Sequence, residues 1–224
     1  MKIYGLITAR SGSKGIKHKN LRTINYKTLL RLAAELALDC DFLTQSFIST
    51  DCEIYEKLGK KYGLSSLGLR AKNLSHDKAT SIDVLNDFIA SSDFIKANDL
   101  IVLLQPTSPI RDVSLVSLCV ESSKKNFETS ITVGEIDEPH PMKTVTNRNG
   151  TLRPTYPNDA LSTPRQLLPK FYQLTGAVYA IPVAAILENK IYTAEPNFII
   201  QEEFVNIDSP RDLFLARYLY GNRR

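Results

Sequence analysis

Residues Asp99 to Gln105 read DLIVLLQ. Leu100 to Leu104 are apolar without interruption, so the run lacks the alternation of a strand with one wet face. An unbroken run this short, bounded by turn residues, predicts a parallel strand covered by helices on both faces. Pro106 and Pro109 in the following PTSP break it sharply. The flanking sequence supplies the cover. Thr80-Ser81 opens an amphipathic helix that turns Ile82, Leu85 and Ile89 inward, and Asp112 is placed to cap a helix running to about Lys125.

The same rhythm extends outward in both directions. Ile3 to Ala9 reads as a buried strand, and Thr28 to Asp39 as a helix with Leu29, Leu32, Ala33, Leu36 and Ala37 on one face. Gln45 to Thr50 is a further strand. Asp51 is expected to cap a helix presenting Ile54, Leu58 and Tyr62, which Gly63 ends, and Leu64 to Leu69 reads as another strand. Downstream, Thr129 to Val133, Gly176 to Pro182 and Phe198 to Asp208 are strand-like. Ser209-Pro210 starts a last helix, expected to bury Leu213, Phe214, Ala216 and Leu219. The alternation predicts an α/β fold: an open, mostly parallel, Rossmann-like sheet flanked by helices in one domain over residues 1–224. It breaks between about Asp137 and Tyr172, where six prolines and an NRNG turn at Asn147 to Gly150 predict a hairpin-bearing excursion from the sheet.

The composition, 43% hydrophobic and 23% charged over 224 residues, is that of a globular chain with one substantial core. No apolar run is long enough to span a bilayer, and the N-terminus enters a strand pattern directly. Cys40, Cys52 and Cys119 are widely separated, which argues against a disulfide framework or a zinc site and fits a reducing cytoplasm. The net charge of +4 is too mild for an extended nucleic-acid face, and no stripe of basic and aromatic residues supports an RNA-binding module.

The charge is instead local. Arg10, Lys14, Lys17, Lys19 and Arg22 fall within thirteen residues, on a loop reading RSGSKGIKHKN directly after the first strand. Gly12 and Gly15 free the backbone to turn successive N–H groups toward an anion. Arg10 offers a bidentate grip and Lys14 a mobile point charge. The loop is built to hold the phosphates of a small polyanion, yet it is neither a Walker A loop nor a G-x-G-x-x-G dinucleotide turn. Ligands of such sheets sit beyond the carboxyl ends of the strands. This places Arg10 to Asn20, Ser49 to Asp51, Gln105 to Arg111 and Asn206 to Asp208 around one crevice.

ARSGSKGIKHKN together with LLQPTSPIR resembles the acylneuraminate cytidylyltransferases, the CMP-sialic acid synthetase family. Further matches follow in order: ISTD at Ile48 to Asp51, Arg70, DKATS at Asp77 to Ser81, PHPMK at Pro139 to Lys143, PRQLLP at Pro164 to Pro169, GAVY at Gly176 to Tyr179 and NIDSPRDL at Asn206 to Leu213. The resemblance implies transfer of CMP from CTP to the anomeric hydroxyl of a nonulosonic acid, with release of pyrophosphate and with Mg²⁺ as cofactor. By matched position Ala9, Arg10, Lys14, Lys19, Asn20, Arg70, Ala79 and Ser81 would bind the nucleotide. Gln105, Lys143, Arg165 and Tyr179 would face the sugar, and Asp208 would hold the metal. Arg10, Lys14, Gln105 and Asp208 would carry the reaction. The resemblance also implies a homodimer in which the excursion, through Arg165 or a neighbour, completes the other subunit's site. His18 and His140 are not expected to act as bases.

Three positions depart from the family pattern. Asn206 stands where an Asp-Ile-Asp arrangement has its first aspartate, and an amide is a poorer Mg²⁺ ligand than a carboxylate. Thr175 replaces the asparagine before Gly176-Ala177, and Tyr26-Lys27-Thr28 replaces a Gly-Lys-Pro turn. The alternatives are a catalytically weakened homologue that binds nucleotide or sugar, and a synthetase for the eight-carbon acid KDO.

Overall fold

The computed structural model describes residues 1–76, 78–136 and 138–222. Asp77 of the DKATS stretch and Asp137 at the start of the excursion lie outside the described residues. In chain order the elements are β1 (Ile3–Thr8), the short pair β2 (Thr23–Ile24) and β3 (Lys27–Thr28), α1 (Leu29–Asp39), β4 (Gln45–Ser49) and α2 (Glu53–Lys61). Next come α3 (Ser81–Ala90), β5 (Leu100–Leu103), α4 (Val113–Asn126) and β6 (Ser130–Glu135). The hairpin β7 (Val145–Arg148) and β8 (Thr151–Pro154) follows, then α5 (Asp159–Ser162), β9 (Tyr172–Pro182), α6 (Val183–Leu187), β10 (Asn197–Ile200) and α7 (Pro210–Asn222).

Six strands form the main sheet in the order β10-β6-β9-β5-β1-β4. All run the same way except β9, which is antiparallel to both of its neighbours. The sheet is therefore mostly parallel, as its unbroken apolar strands require. Alternate residues of the central strands divide between two cores. Ile3, Ile7, Leu100 and Val102 join Ala33, Ala37, Val116 and Val120 of α1 and α4 on one face. Tyr4, Leu6, Phe47 and Ile101 meet Leu85, Phe88 and Ile186 of α3 and α6 on the other. Each such fully buried aliphatic side chain contributes about 1.5–3 kcal/mol through burial.

Several local expectations hold. Thr28 and Asp112 cap α1 and α4, accepting the N–H of Arg31 and Leu115, and Thr80 forms a reciprocal capping box with Asp83. The NRNG turn closes β7 onto β8, with Gly150 N–H donating to Asn147 Oδ1 at 2.8 Å.

Others are corrected. The cap position of α2 is Cys52, because the carboxylate of Asp51 is engaged elsewhere. Its buried positions are Tyr55 and Gly59, with Leu58 and Tyr62 packed beside them, so the inward stripe excludes Ile54, which is 62% exposed. Leu64 to Leu69 is no strand: a single bridge joins Ser65 to Phe47. The last strand stops at Ile200, and 201–208 run as a loop toward the crevice. Phe214 of α7 is 74% exposed, while Leu213 and Ala216 carry the packing. Among the described residues no helix is long and apolar enough to cross a membrane.

Candidate active site

The carboxyl ends of β1 and β5 open onto a cleft of about 440 Å³. Arg10, Lys14, Lys19, Asn20, Arg70, Ala79, Ser81, Gln105 and Asp208 all line it. These residues come from positions far apart in the chain. Most follow a strand end or precede a helix at the same edge of the sheet, and Arg70 is brought there by its N–H donating to the Thr50 carbonyl just past β4.

The cationic loop is held at both ends. Ser11 donates its backbone N–H and its hydroxyl to the two oxygens of Asp51, at 2.8 and 2.7 Å, which ties the loop to the end of β4. Asn20, 4% exposed, donates from Nδ2 to the carbonyl of Arg10 at 3.0 Å and closes the loop on itself. Ala9 supports the loop from beneath: it is buried and donates its N–H to the Ser49 carbonyl. The middle of the loop meets the segment before α7, where Lys19 Nζ lies 2.8 Å from Asp208 Oδ1. Asp208 Oδ2 receives the Asn206 amide at 3.3 Å.

Helix α7 fixes that segment. Asp212 accepts the N–H groups of Asp208 and Ser209 and the Ser209 hydroxyl. Burial alone would raise the Asp212 carboxyl, but these three donors outweigh it and hold it below the ordinary carboxylate value. Across the cleft Arg70 is 7% exposed and donates from Nε to Ser75 at 3.2 Å. Burial lowers its pKa against the opposing pull of Asp51 and Asp87. The guanidinium remains a cation facing a concave, cation-rich wall, which suits a polyphosphate.

Three of the sugar-side residues do not line this cleft within one chain. Tyr179 packs against the core on the α3 and α6 face, and its phenol is pushed up to about 12, first by burial and then by Tyr192. Its place in β9 puts it beside the sheet core rather than in the lining of this cleft. Lys143 and Arg165 lie on the excursion. Lys143 reaches the Leu161 carbonyl at 3.4 Å, and Arg165 pairs with Glu138 at 3.3 Å beside a separate cavity of about 300 Å³. His140 belongs to that region as well, where Nδ1 accepts the Met142 N–H.

Ser13, Pro106 and Thr107 line the cleft within the segments expected around it. Asp51 was read as a helix cap and is the loop's anchor. Leu74 and His76 also line the cleft and were missed. An acid at a strand end facing a loop of unpaired backbone N–H groups was the available signal for Asp51. None marked Leu74 or His76. Thr175 turns inward, 1% exposed, with its hydroxyl 2.7 Å from that of Thr132, so it forms no pocket wall.

Among the described residues no group of three or more His, Cys, Asp and Glu side chains could hold a metal ion. Asp208 offers one carboxylate, 71% exposed at the cleft, beside the Asn206 amide. Mg²⁺ is commonly held by one or two carboxylates, with substrate phosphates and water completing the shell. The residues therefore fit an ion that arrives with a triphosphate.

Comparison with known proteins identifies the family. A family model described as Cytidylyltransferase matches residues 4–222. A CMP-N,N′-diacetyllegionaminic acid synthase of Legionella pneumophila is 28% identical, covering 98% of this chain and 96% of its own. An N-acylneuraminate cytidylyltransferase of Streptococcus agalactiae is 29% identical over 96% of this chain, which spans about half (52%) of that longer protein. Among solved structures, CMP:2-keto-3-deoxy-manno-octonic acid synthetase complexed with CTP superposes with a TM-score of 0.74 at 16% identity, covering 99% of both chains; at that identity the likeness is one of fold.

Proposed function

The chain belongs to the cytidylyltransferase family, and on that premise we propose that it transfers CMP from CTP to the anomeric hydroxyl of a sialic-acid-like nonulosonic acid. The sugar oxygen bonds to the α-phosphorus, the bond from that phosphorus to the bridging oxygen breaks, pyrophosphate departs and the hydroxyl proton passes to solvent. The observation that carries this reading is the convergence of Arg10, Lys14 and Lys19 with Arg70, Gln105 and Asp208 on one cleft. The names of the Legionella and streptococcal relatives support the acceptor class.

Arg10 and Lys14 grip the triphosphate and offset the charge that builds on departing pyrophosphate, the main work in such a transfer. Lys19 and Asn20 order the loop around the nucleotide, and Arg70, Ala79 and Ser81 form the wall for base and ribose. Gln105, at the end of β5, meets the acceptor. Asp208 would hold Mg²⁺, which would neutralise phosphate charge and acidify the attacking hydroxyl. Lys19, which pairs with Asp208 at 2.8 Å, would turn to the phosphates when that carboxylate is engaged.

Lys143 and Arg165 act from the excursion of a second copy, so the active form is a homodimer. Support for this comes from their absence from the cleft lining of their own chain and from the exposed Val145, Leu152 and Leu167 on the same excursion. The unpaired Cys40, Cys52 and Cys119 fit work in the cytoplasm.

The test is pyrophosphate release from CTP and Mg²⁺ with N-acetylneuraminic, N,N′-diacetyllegionaminic, pseudaminic and KDO acids. Release with one sugar, lost in Arg10→Ala, is the expected result. Asn206 favours a second reading, a protein with a weakened metal site, which a silent wild type and an active Asn206→Asp would establish. CTP binding with no release in either would mean a binding protein or a sugar outside this panel.

A further inference from the structure

Arg70 lines two cavities. One is the cleft, and the other is a separate hollow of about 140 Å³ whose wall also includes Ser49, Asp87, Phe88 and Ser91. Helix α3 runs past both. Ser81 and Val84 face the cleft, and Asp87, Phe88 and Ser91 follow at the three- and four-residue spacing that keeps side chains on one helix face. Arg70 thus stands between the two cavities, and Asp87 lines only the second.

A guanidinium buried this far needs opposing charge to stay in place. Among the described residues the Arg70 side chain makes one hydrogen bond, from Nε to Ser75, which leaves its two terminal amino groups without a protein acceptor. Burial acts most strongly against its charge, Asp51 and Asp87 act for it, and the like charge of Arg10 acts against it again. The two acids are not equally available. Both oxygens of Asp51 are taken by Ser11. Asp87 gives its backbone carbonyl to the Ser91 N–H, and among the described residues its carboxylate has no hydrogen-bond donor. The cavity that Asp87 shares with Arg70, Ser49 and Ser91 is polar and roomy enough for water to bridge the two charges.

We propose that Asp87 is a positioning residue: across the second cavity it holds the Arg70 guanidinium at the nucleotide wall of the cleft, while touching no nucleotide itself. This rests on the reading of the cleft as a CTP site. The sign of its effect separates the role from plain electrostatics. CTP is an anion, so removing a carboxylate that only adds negative charge nearby strengthens binding. Removing a carboxylate that keeps Arg70 in place weakens it.

The experiment is calorimetry of CTP binding to wild type, Asp87→Asn, Asp87→Glu, Arg70→Ala and the double variant Arg70→Ala with Asp87→Asn. The expected result is a CTP Kd raised about fivefold in Asp87→Asn, returned to within about twofold of wild type in Asp87→Glu, and unchanged by Asp87→Asn once Arg70 is alanine. A Kd that falls or stays put in Asp87→Asn would overturn the role. So would a loss that repeats in full on the Arg70→Ala background, because Asp87 would then act independently of Arg70. A loss that Asp87→Glu does not restore would assign Asp87 to packing instead. A wild type that binds no CTP overturns the nucleotide reading of the cleft and takes the role of Asp87 with it.

Discussion

The backbone carbonyl of Asp208 occupies the space that a side chain on Gly15 would need. The loop that carries Lys14 and Lys19 therefore seats directly on the backbone of the carboxylate residue, and only glycine permits the approach. Gly15→Ala must push the loop and Asp208 apart. Displacement of a charged group by about 1 Å costs on the order of a hundredfold in rate. Gly12 is the control, since nothing lies within 4 Å of a Cβ built there. Gly15→Ala is expected to lose about a hundredfold in kcat/KM, and Gly12→Ala less than about threefold. Equal effects in the two variants would mean that the contact with Asp208 is irrelevant to the reaction.

Asp51 makes a second, separable contribution. Both of its oxygens are taken by Ser11, and its charge supports Arg70 across the cleft. Asp51→Ala leaves the Ser11 N–H without its acceptor and the loop untied from β4. Loss of one or two charge-assisted hydrogen bonds amounts to about 1.5–3 kcal/mol each at most. The CTP KM should rise about tenfold or more, with a smaller change in kcat. Titration of CTP against wild type and variant checks it, and an unchanged CTP KM would remove Asp51 from the nucleotide site.

The strands were legible where burial was complete. Leu100 to Leu104 and Ile3 to Ala9 read as strands because short, largely apolar runs bounded by turn residues fit a strand covered on both faces. Helix ends were legible where a side chain caps its own turn, as at Thr80 and Asp112. The signal failed where a polar residue had two uses. Asp51 at a strand end could cap a helix or hold a loop, and only three dimensions show that Ser11 is the stronger claimant. Ile54 and Phe214 share the spacing of inward residues, yet both face outward, because the sheet meets a different side of each helix. The cleft residues were found through the family motifs. Tyr179 packs beside the α3 and α6 core, the alternative to a pocket place that its apolar strand setting left open.

Asp208 and Asn206 divide the metal question. Among the described residues Asp208 is the carboxylate that lines the cleft, so Asp208→Asn should lower turnover at least about a hundredfold at any Mg²⁺ concentration. Asn206→Asp adds a carboxylate beside it, since the Asn206 amide already reaches Asp208 at 3.3 Å. The Mg²⁺ concentration for half-maximal rate should drop several-fold in that variant. A rise instead would mean that donation from the amide to Asp208 matters more than a second ligand.

Acid stability should report on Asp212. Its folded pKa lies below the ordinary 3.8, so the stability it contributes is complete above that value. That stability is lost as pH falls through the lower folded value. Asp212→Asn gives up part of the cap on α7, about 1 kcal/mol. The melting-temperature gap between wild type and variant should be constant from neutral pH down to about pH 5 and close below pH 4. A gap that widens on acidification would assign the cap to another group.

A composite site has a signature that a self-contained one lacks. If Arg165 of the partner subunit completes each cleft, then Arg10→Ala and Arg165→Ala break different halves of the same site. In a mixed dimer one cleft carries both defects and the other carries neither. Two preparations, each inactive alone, should recover about a quarter of wild-type activity after co-expression or subunit exchange, because about half the dimers are mixed and each has one intact cleft. Light scattering should give a dimer in both variants. Arg165 pairs with Glu138 within its own chain, so loss of activity in Arg165→Ala alone would be ambiguous. Recovery on mixing is not. If the mixture stays inactive while the subunits exchange, each chain owns its whole site, and the excursion serves some other purpose.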